Sequence, residues 1–360
     1  MRVLLDCRMA SWTGVGRYTR GLAGALGGRE DIELVELVAP GEEPTTPGGE
    51  SYESAGHPFS PGGARTFARA LREVQADIVH CAHFPTPFPM PHPLVVTVHD
   101  FIPLSVAGVM PSSARRLAYR LMIRRAIRGA DRIITLSEHS ARATREFYAP
   151  AGGRISVTPA AADDFAAGEI GALPPVVAGL GRYVFGFGNT RPHKRLDVLL
   201  RAWASAEPSL PADVALVLTG DEPEGFVNAA IGDLPRPARI VWLGRADDET
   251  LRALYARATA FVFPSSHEGF GLPPLEAMMF GAPVICSDAA SLPEVVGNAA
   301  LLVPPLDVGA LANAITRLVT DPAFAGDLAE RGRVRAMGFT WTRTAELTTA
   351  VYQQVLTSRY

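Results

Sequence analysis

Residues 262–284 read VFPSSHEGFGLPPLEAMMFGAPV. Local chemistry alone resolves this stretch. The apolar, aromatic and β-branched run AFVFPS (260–265) reads as a buried strand that stops at Pro264 and Ser265. Pro273 and Pro274 suit a first helical turn, where a missing N–H costs nothing. Gly281 suits the position just past the helix, and Pro283 prevents its continuation. PVICSD (283–288) then opens the next strand. Strand, glycine loop, helix and strand make a βαβ unit, whose strands run parallel. Gly269, Phe270, Gly271 and Leu272 form the loop at the helix N-terminus, a ready site for an anion. Glu268 stands just before it, and Glu276 is expected in the first helical turn. Taken alone, Glu268 reads equally well as a solvated loop acid or a site residue, and Glu276 as a partner of the helix dipole or a site residue. With both acids, both glycines and the prolines in register, the string reads as a site. A carboxylate does not bind phosphate, but it accepts hydrogen bonds from hydroxyls. A nucleotide sugar carries hydroxyls at both ends and charge in the middle.

Outward from this unit, the same alternation fills the chain. The second half offers YVFGFG (183–188), VALVLTG (214–220), RIVWLG (239–244), AFVFPS, PVICSD and ALLVPP (300–305). The first half offers RVLLD (2–6), ELVELVA (33–39), DIVHCA (77–82), LVVTVH (94–99), RIITLS (132–137) and ISVTP (155–159). Runs this uniformly apolar fit strands covered by helices on both faces. The 360 residues suit two such domains, joined by the polar, Ala/Gly/Pro-rich stretch 163–181. In such sheets ligands bind where strands end and helices begin. The stretch 40–63, rich in Pro and Gly, is expected to be a long mobile loop.

Composition narrows the class further. A net charge of −3 gives no general case for nucleic-acid binding. No apolar run approaches the ~20 residues of a membrane span, and the chain starts directly with a strand-like run, so a cytoplasmic protein is expected. Cys7, Cys81 and Cys286 have no metal-like spacing and read as buried free thiols. SWTGVGRYTR (11–20) holds G-x-G but lacks the third glycine of a dinucleotide fingerprint, so NAD binding is not expected.

The string EGFGLPPLEAM, with its E-x7-E spacing, resembles the signature of the retaining GT-B glycosyltransferases of the family 4 or group 1 class. The likeness runs along nearly the whole chain, through GVGRY (14–18), VVTVHD (95–100), GNTRPHKRLDVLL (188–200), VWLG (241–244) and GAPVICSD (281–288). It implies a GT-B fold, two Rossmann-like doubly wound parallel-sheet domains facing a cleft. An acceptor-side domain would span 1–165 and a nucleotide-sugar donor domain 166–338. A terminal helix at 339–360, capped by Thr340 and starting with a buried Trp341, would cross back to the first domain.

By the same resemblance, Glu276 holds the ribose hydroxyls of the donor. Glu268 reaches the transferred sugar, and the N–H groups at 270–272 contact phosphate and sugar. Lys194 sits near a helix start at a strand end, where an ammonium stabilises a departing diphosphate. Relatives carry an arginine five residues before this lysine. Here the position is Asn189, which leaves Asn189, Arg191 or His193 to take that place. Gly16 falls to the phosphate or acceptor side and His99 to the donor sugar hydroxyls. Leu243 and Arg245 fall where relatives hold the base through the backbone.

Retention at the anomeric carbon is implied, with front-face attack and no metal, since no D-x-D occurs. No cofactor is expected: a GDP-, UDP- or dTDP-sugar is a substrate, with mannose the favoured sugar. The acceptor would be a glycan, a lipid-linked glycan or a small molecule. Other readings on the same fold are a phosphorylase, a nucleotide-sugar epimerase and a non-catalytic nucleotide-binding module. Six arginines crowd the helix-like ARRLAYRLMIRRAIRGA (114–130). They read either as a solvated face or as a basic amphipathic surface for peripheral contact with anionic lipid.

Overall fold

The computed structural model describes residues 1–235, 237 and 239–358. The chain forms two compact units. The first comprises Met1–Ser105, Met110–Ala161 and the segment from Phe339, and the second comprises Val106–Val109 and Ala162–Gly338.

The first unit is built on seven strands: β1 (Arg2–Asp6), β2 (Glu33–Val38), β3 (Glu50–Glu53), β4 (Ile78–Cys81), β5 (Leu94–Val98), β6 (Arg132–Thr135) and β7 (Ile155–Val157). Their order is β3-β2-β1-β4-β5-β6-β7, and every pairing is parallel. Leu4, Leu5, Ile78, Val95 and Val96 are fully buried, as a sheet covered on both faces requires.

The strand with the weakest apolar signal is β3, whose one aromatic, Tyr52, packs on the core; it lies inside the stretch expected to be a mobile loop. ESYE pairs with β2 from Val35↔Glu50 to Val38↔Glu53. Its polarity is tolerated because it is the sheet edge, where one side faces water. The loop before it is also fixed. The buried Glu36 carboxylate accepts the N–H groups of Thr45 and Thr46, each at 2.9 Å.

Helix Trp341–Thr357 packs in this first unit, against helix Gly14–Gly27. Thr340 caps it by accepting the Arg343 N–H at 3.2 Å. The Trp341 ring fills the space that a side chain at Gly21 would need. Tyr352 places its hydroxyl 2.6 Å from Nδ1 of the buried His80.

The second unit carries six parallel strands: β8 (Arg182–Phe187), β9 (Val214–Thr219), β10 (Ile240–Trp242), β11 (Ala260–Phe263), β12 (Val284–Ser287) and β13 (Leu301–Val303), in the order β10-β9-β8-β11-β12-β13. Val184, Leu216, Val262 and Ile285 share one core with Trp203 of helix Leu196–Ala206. The stretch expected to join two domains belongs to this unit instead and carries two short helices, Asp163–Ala166 and Pro175–Ala178. Phe165 is buried there, and the Arg252 guanidinium donates to the Phe165 carbonyl at 2.7 Å.

In both sheets the strand order reverses once, between β1 and β4 and again between β8 and β11. Loops leaving two such neighbours diverge to opposite faces and open a crevice, the usual ligand position in doubly wound sheets. Cys7, Cys81 and Cys286 are buried and free. Among the described residues no helix is long and apolar enough to cross a membrane.

Candidate active site

The chemistry gathers where the second sheet reverses. The loop after β8 carries Asn189, Arg191 and Lys194, and the loop after β11 carries Glu268. Seventy-four residues apart, Lys194 Nζ and Glu268 Oε1 lie 2.6 Å from each other. Backbone stitching makes that meeting possible. The His193 carbonyl accepts the Ser266 N–H at 2.8 Å and the Ser265 hydroxyl at 3.0 Å, so the two loops are bound side by side. Lys194 closes a single 3-10 turn, Pro192–Lys194, and Arg195 follows at φ 53° before the helix Leu196–Ala206 begins. The ammonium rests over the Phe263 ring, 5.1 Å from its centroid. Its side chain stays 21% exposed and that of Glu268 12% exposed, so the pair is semi-open. Beside it, burial above all, then the Lys194 charge, pushes His193 down to about 4, so the imidazole is neutral at pH 7.

The loop after Glu268 is tight. Gly269, Phe270 and Gly271 are buried. Gly271 takes φ 121°, a conformation that favours glycine, and a Cβ there would stand 2.8 Å from the Leu292 side chain. Helix Leu272–Met279 starts immediately afterwards, which corrects the expected place of Glu276. It is the fifth helical residue rather than a member of the first turn, because Gly271 already serves as the cap. Glu276 therefore faces inward, 2% exposed, and accepts the Tyr255 hydroxyl at 3.0 Å. Pro273 and Pro274 have no N–H, which confines the donors of this helix end to Leu272 and the loop before it.

Two partners give no sign of this role in the sequence. Tyr255 lies on helix Asp248–Arg257 and anchors one Glu276 oxygen. Ser291 opens S-x-x-E, the pattern of a capping box, yet makes no side-chain cap. Its hydroxyl instead lies 2.6 Å from the Phe270 carbonyl and 3.0 Å from that of Glu268, and so holds the loop from below.

The remaining second-unit candidates are arranged less tightly. The Asn189 side-chain oxygen accepts the Arg191 N–H at 3.0 Å, a local turn that occupies that oxygen. Arg191 itself is exposed. The Leu243 N–H is committed to the Leu218 carbonyl at 2.9 Å, and Gly244 bridges to Gly220. Arg245, just beyond, is exposed. Trp242 packs at Gly188, which sets the 242–245 turn against the start of the lysine loop.

Gly16 and His99 belong to the first unit. Gly16 lies inside the first turn of helix Gly14–Gly27, and a side chain there would collide with the Ala10 carbonyl. His99 directly follows β5. Its Nε2–H donates to the Ala82 carbonyl at 2.8 Å, which makes Nδ1 the acceptor of the neutral ring. Burial lowers it to about 4, partly opposed by that hydrogen bond. His83 and Tyr18 pack edge-on against the ring.

Residues 180–335 match the family of glycosyl transferases group 1, and residues 12–164 match Glycosyltransferase Family 4. The chain is 32% identical over 302 residues to the O-antigen chain mannosyltransferase B of Escherichia coli, covering 80% of this chain and 77% of that one. It is 29% identical over 239 residues to the serotype-specific mannosyltransferase WbdA of Escherichia coli, covering 64% of this chain but only 29% of that longer protein. Its fold matches the sucrose-phosphate synthase of Thermosynechococcus elongatus with a TM-score of 0.77 at 21% identity, over 99% of this chain and 100% of that one. The fold is GT-B, and the candidate site lies at a sheet reversal, the usual ligand position in doubly wound sheets. The chain belongs to the group 1 / family 4 glycosyltransferases, with mannosyltransferases among its relatives.

Proposed function

We propose that this chain is a retaining hexosyltransferase that moves mannose from a nucleoside-diphosphate sugar to a hydroxyl of a glycan, lipid-linked or small-molecule acceptor. The observation that carries the reading is the semi-open contact between Lys194 and Glu268 beside the glycine loop at a helix N-terminus. An ammonium and backbone N–H groups suit a diphosphate, and carboxylates at either end of the loop suit the ribose and sugar hydroxyls. The mannosyltransferases among the relatives favour mannose as the sugar.

In this reading the donor diphosphate draws Lys194 away from Glu268 and frees that carboxylate for the sugar hydroxyls. As the bond from the anomeric carbon to phosphate oxygen breaks, the acceptor oxygen bonds to the same face of that carbon. The acceptor proton passes to the departing phosphate oxygen, so no strong protein base is needed. His99, lowered to about 4, is a weak base at neutral pH and suits a hydrogen-bonding role through Nδ1. Lys194 and the loop supply the positive charge, so no metal is invoked.

A thermal-shift titration with GDP, UDP, dTDP and ADP in EDTA tests the reading. One nucleotide is expected to raise the melting temperature by several degrees, and that nucleotide names the donor. Stabilisation only after a divalent metal is restored would overturn the metal-independent mechanism. Consumption of the donor without an acceptor would instead favour the epimerase reading.

A further inference from the structure

We infer that the first unit binds a pyranose ring on an aromatic shelf formed by Trp12, His57 and Phe59, with His83 at its inner edge. The transfer reading above supplies one further step: the bound sugar is the acceptor. Three loops build the shelf beside the reversal of the first sheet. Trp12 follows β1, His57 and Phe59 follow β3, and His83 follows β4. The Trp12 and Phe59 rings are stacked, 6.1 Å apart and 18° from parallel. His57 lies 6.0 Å from the first and 5.8 Å from the second. Trp12 is 39% exposed and His57 is exposed, whereas Phe59 reaches inward to the buried Phe84. The shelf is held in place. The His57 carbonyl accepts the Ser60 hydroxyl at 2.7 Å and the Ser60 N–H at 2.8 Å. Ser60 caps helix Pro61–Val74 by accepting the Gly63 N–H at 3.0 Å, and the Gly63 carbonyl accepts Arg8 at 3.0 Å. Exposed aromatics anchored in this way form a prepared binding surface.

His83 supplies the polar edge. Its ring lies 6.2 Å from Phe59 and 5.5 Å from His99, and its buried Nδ1 has no partner among the described residues. Burial, with the neighbouring His99 adding to it, holds the ring well below its ordinary 6.5, so it is neutral at pH 7. A buried nitrogen left unmatched costs free energy, and a ligand group that bonds to it recovers that cost. Shape and polarity together select the ligand. A pyranose has an apolar C–H face to lie on the aromatic rings, and hydroxyls at its rim that both donate and accept. An alkyl chain would cover the shelf but leave Nδ1 unmatched. A free phosphate would leave the aromatic faces in water.

Saturation-transfer NMR on the full chain tests this without any donor. Methyl α-D-mannopyranoside is expected to receive saturation chiefly at its ring C–H protons, and hexanol far less. W12A should weaken binding about tenfold, and H83F about fivefold through the loss of one hydrogen bond. F88S, at an exposed aromatic of the same unit outside the shelf, should leave it unchanged. In transfer assays W12A should raise the acceptor KM about tenfold while kcat changes by less than about twofold. Circular dichroism confirms that the variants fold. No saturation of either methyl α-D-mannopyranoside or methyl α-D-glucopyranoside, unchanged binding by W12A, or hexanol bound in place of both sugars would overturn the inference. Silence of all four nucleotides in the thermal titration would sink the transfer reading and leave sugar binding on the shelf intact. A nucleotide shift without pyranoside binding would sink the shelf alone.

Discussion

Asp6 and Arg8 lie at the end of β1, and Lys194 and Glu268 lie beyond the ends of β8 and β11; both pairs sit where their sheet reverses. In the first, Arg8 grips both carboxylate oxygens of Asp6, at 2.8 and 2.7 Å, and donates its remaining nitrogen to the Gly63 carbonyl at 3.0 Å. Its guanidinium also faces the Phe67 ring at 4.7 Å. Both side chains are almost wholly buried. Burial opposes the Arg8 charge, but Asp6 outweighs it and raises the group above its ordinary value. Lys194 and Glu268 make one contact, remain partly exposed, and are separable without leaving a buried charge. A closed, fully satisfied pair is a fastener; in the mechanism proposed above, the single-contact pair at a solvent-reachable loop exchanges partners. Position in the fold does not separate the two roles, whereas completeness of hydrogen bonding does.

That contrast breaks if the closed pair proves dispensable. Arg8→Ala leaves Asp6 buried without its counter-charge and is expected to destabilise the protein by about 3–5 kcal/mol, measured by chemical denaturation. A loss below about 1 kcal/mol, the level of a surface pair, would contradict the fastener role. Lys194→Ala should do the reverse, lowering turnover by about 10²–10³-fold with little change in melting temperature. Near-normal turnover would move leaving-group stabilisation to Arg191.

Smaller effects are expected at the buried acid and the buried histidines. Glu276→Ala should weaken donor binding by roughly 1.5–3 kcal/mol, read by calorimetric titration, and leave the Tyr255 hydroxyl without its carboxylate. Unchanged donor affinity would remove the ribose role. Acid should then distinguish the two units. His80, lowered to about 3, and His99, lowered to about 4, are buried in the first, and His193, lowered to about 4, in the second. Below the ordinary 6.5, the unfolded chain binds protons that these neutral rings refuse. Stability is therefore complete above pH 6.5 and declines as pH falls toward 4, with the first unit losing more. Calorimetric melting at pH 7 and pH 5 checks the order; a second unit that becomes the more labile on acidification would reverse it.

Burial decides what a sequence discloses. Strands such as LVVTV (94–98) declare themselves because both faces are buried, while ESYE (50–53) is an edge strand with only Tyr52 to show. The loop and helix around Glu268 are legible because glycine and proline fix their own backbone. The contact with Lys194 is not, since the strand order that aligns β8 with β11 is a tertiary fact. Tyr255 looks like any aromatic on an amphipathic helix, and Ser291 mimics a cap it does not make. Asp6 and Arg8, two residues apart in RVLLDCR, give no sign of their burial.

Trp341 and Tyr352 complete the core of the first unit from a helix that follows the whole second unit in sequence. During synthesis the second unit has all of its strands before the first has its closing helix. The first unit is therefore expected to complete its core last. A nonsense change that removes the residues after Gly338 would damage the half of the protein furthest from it along the gene.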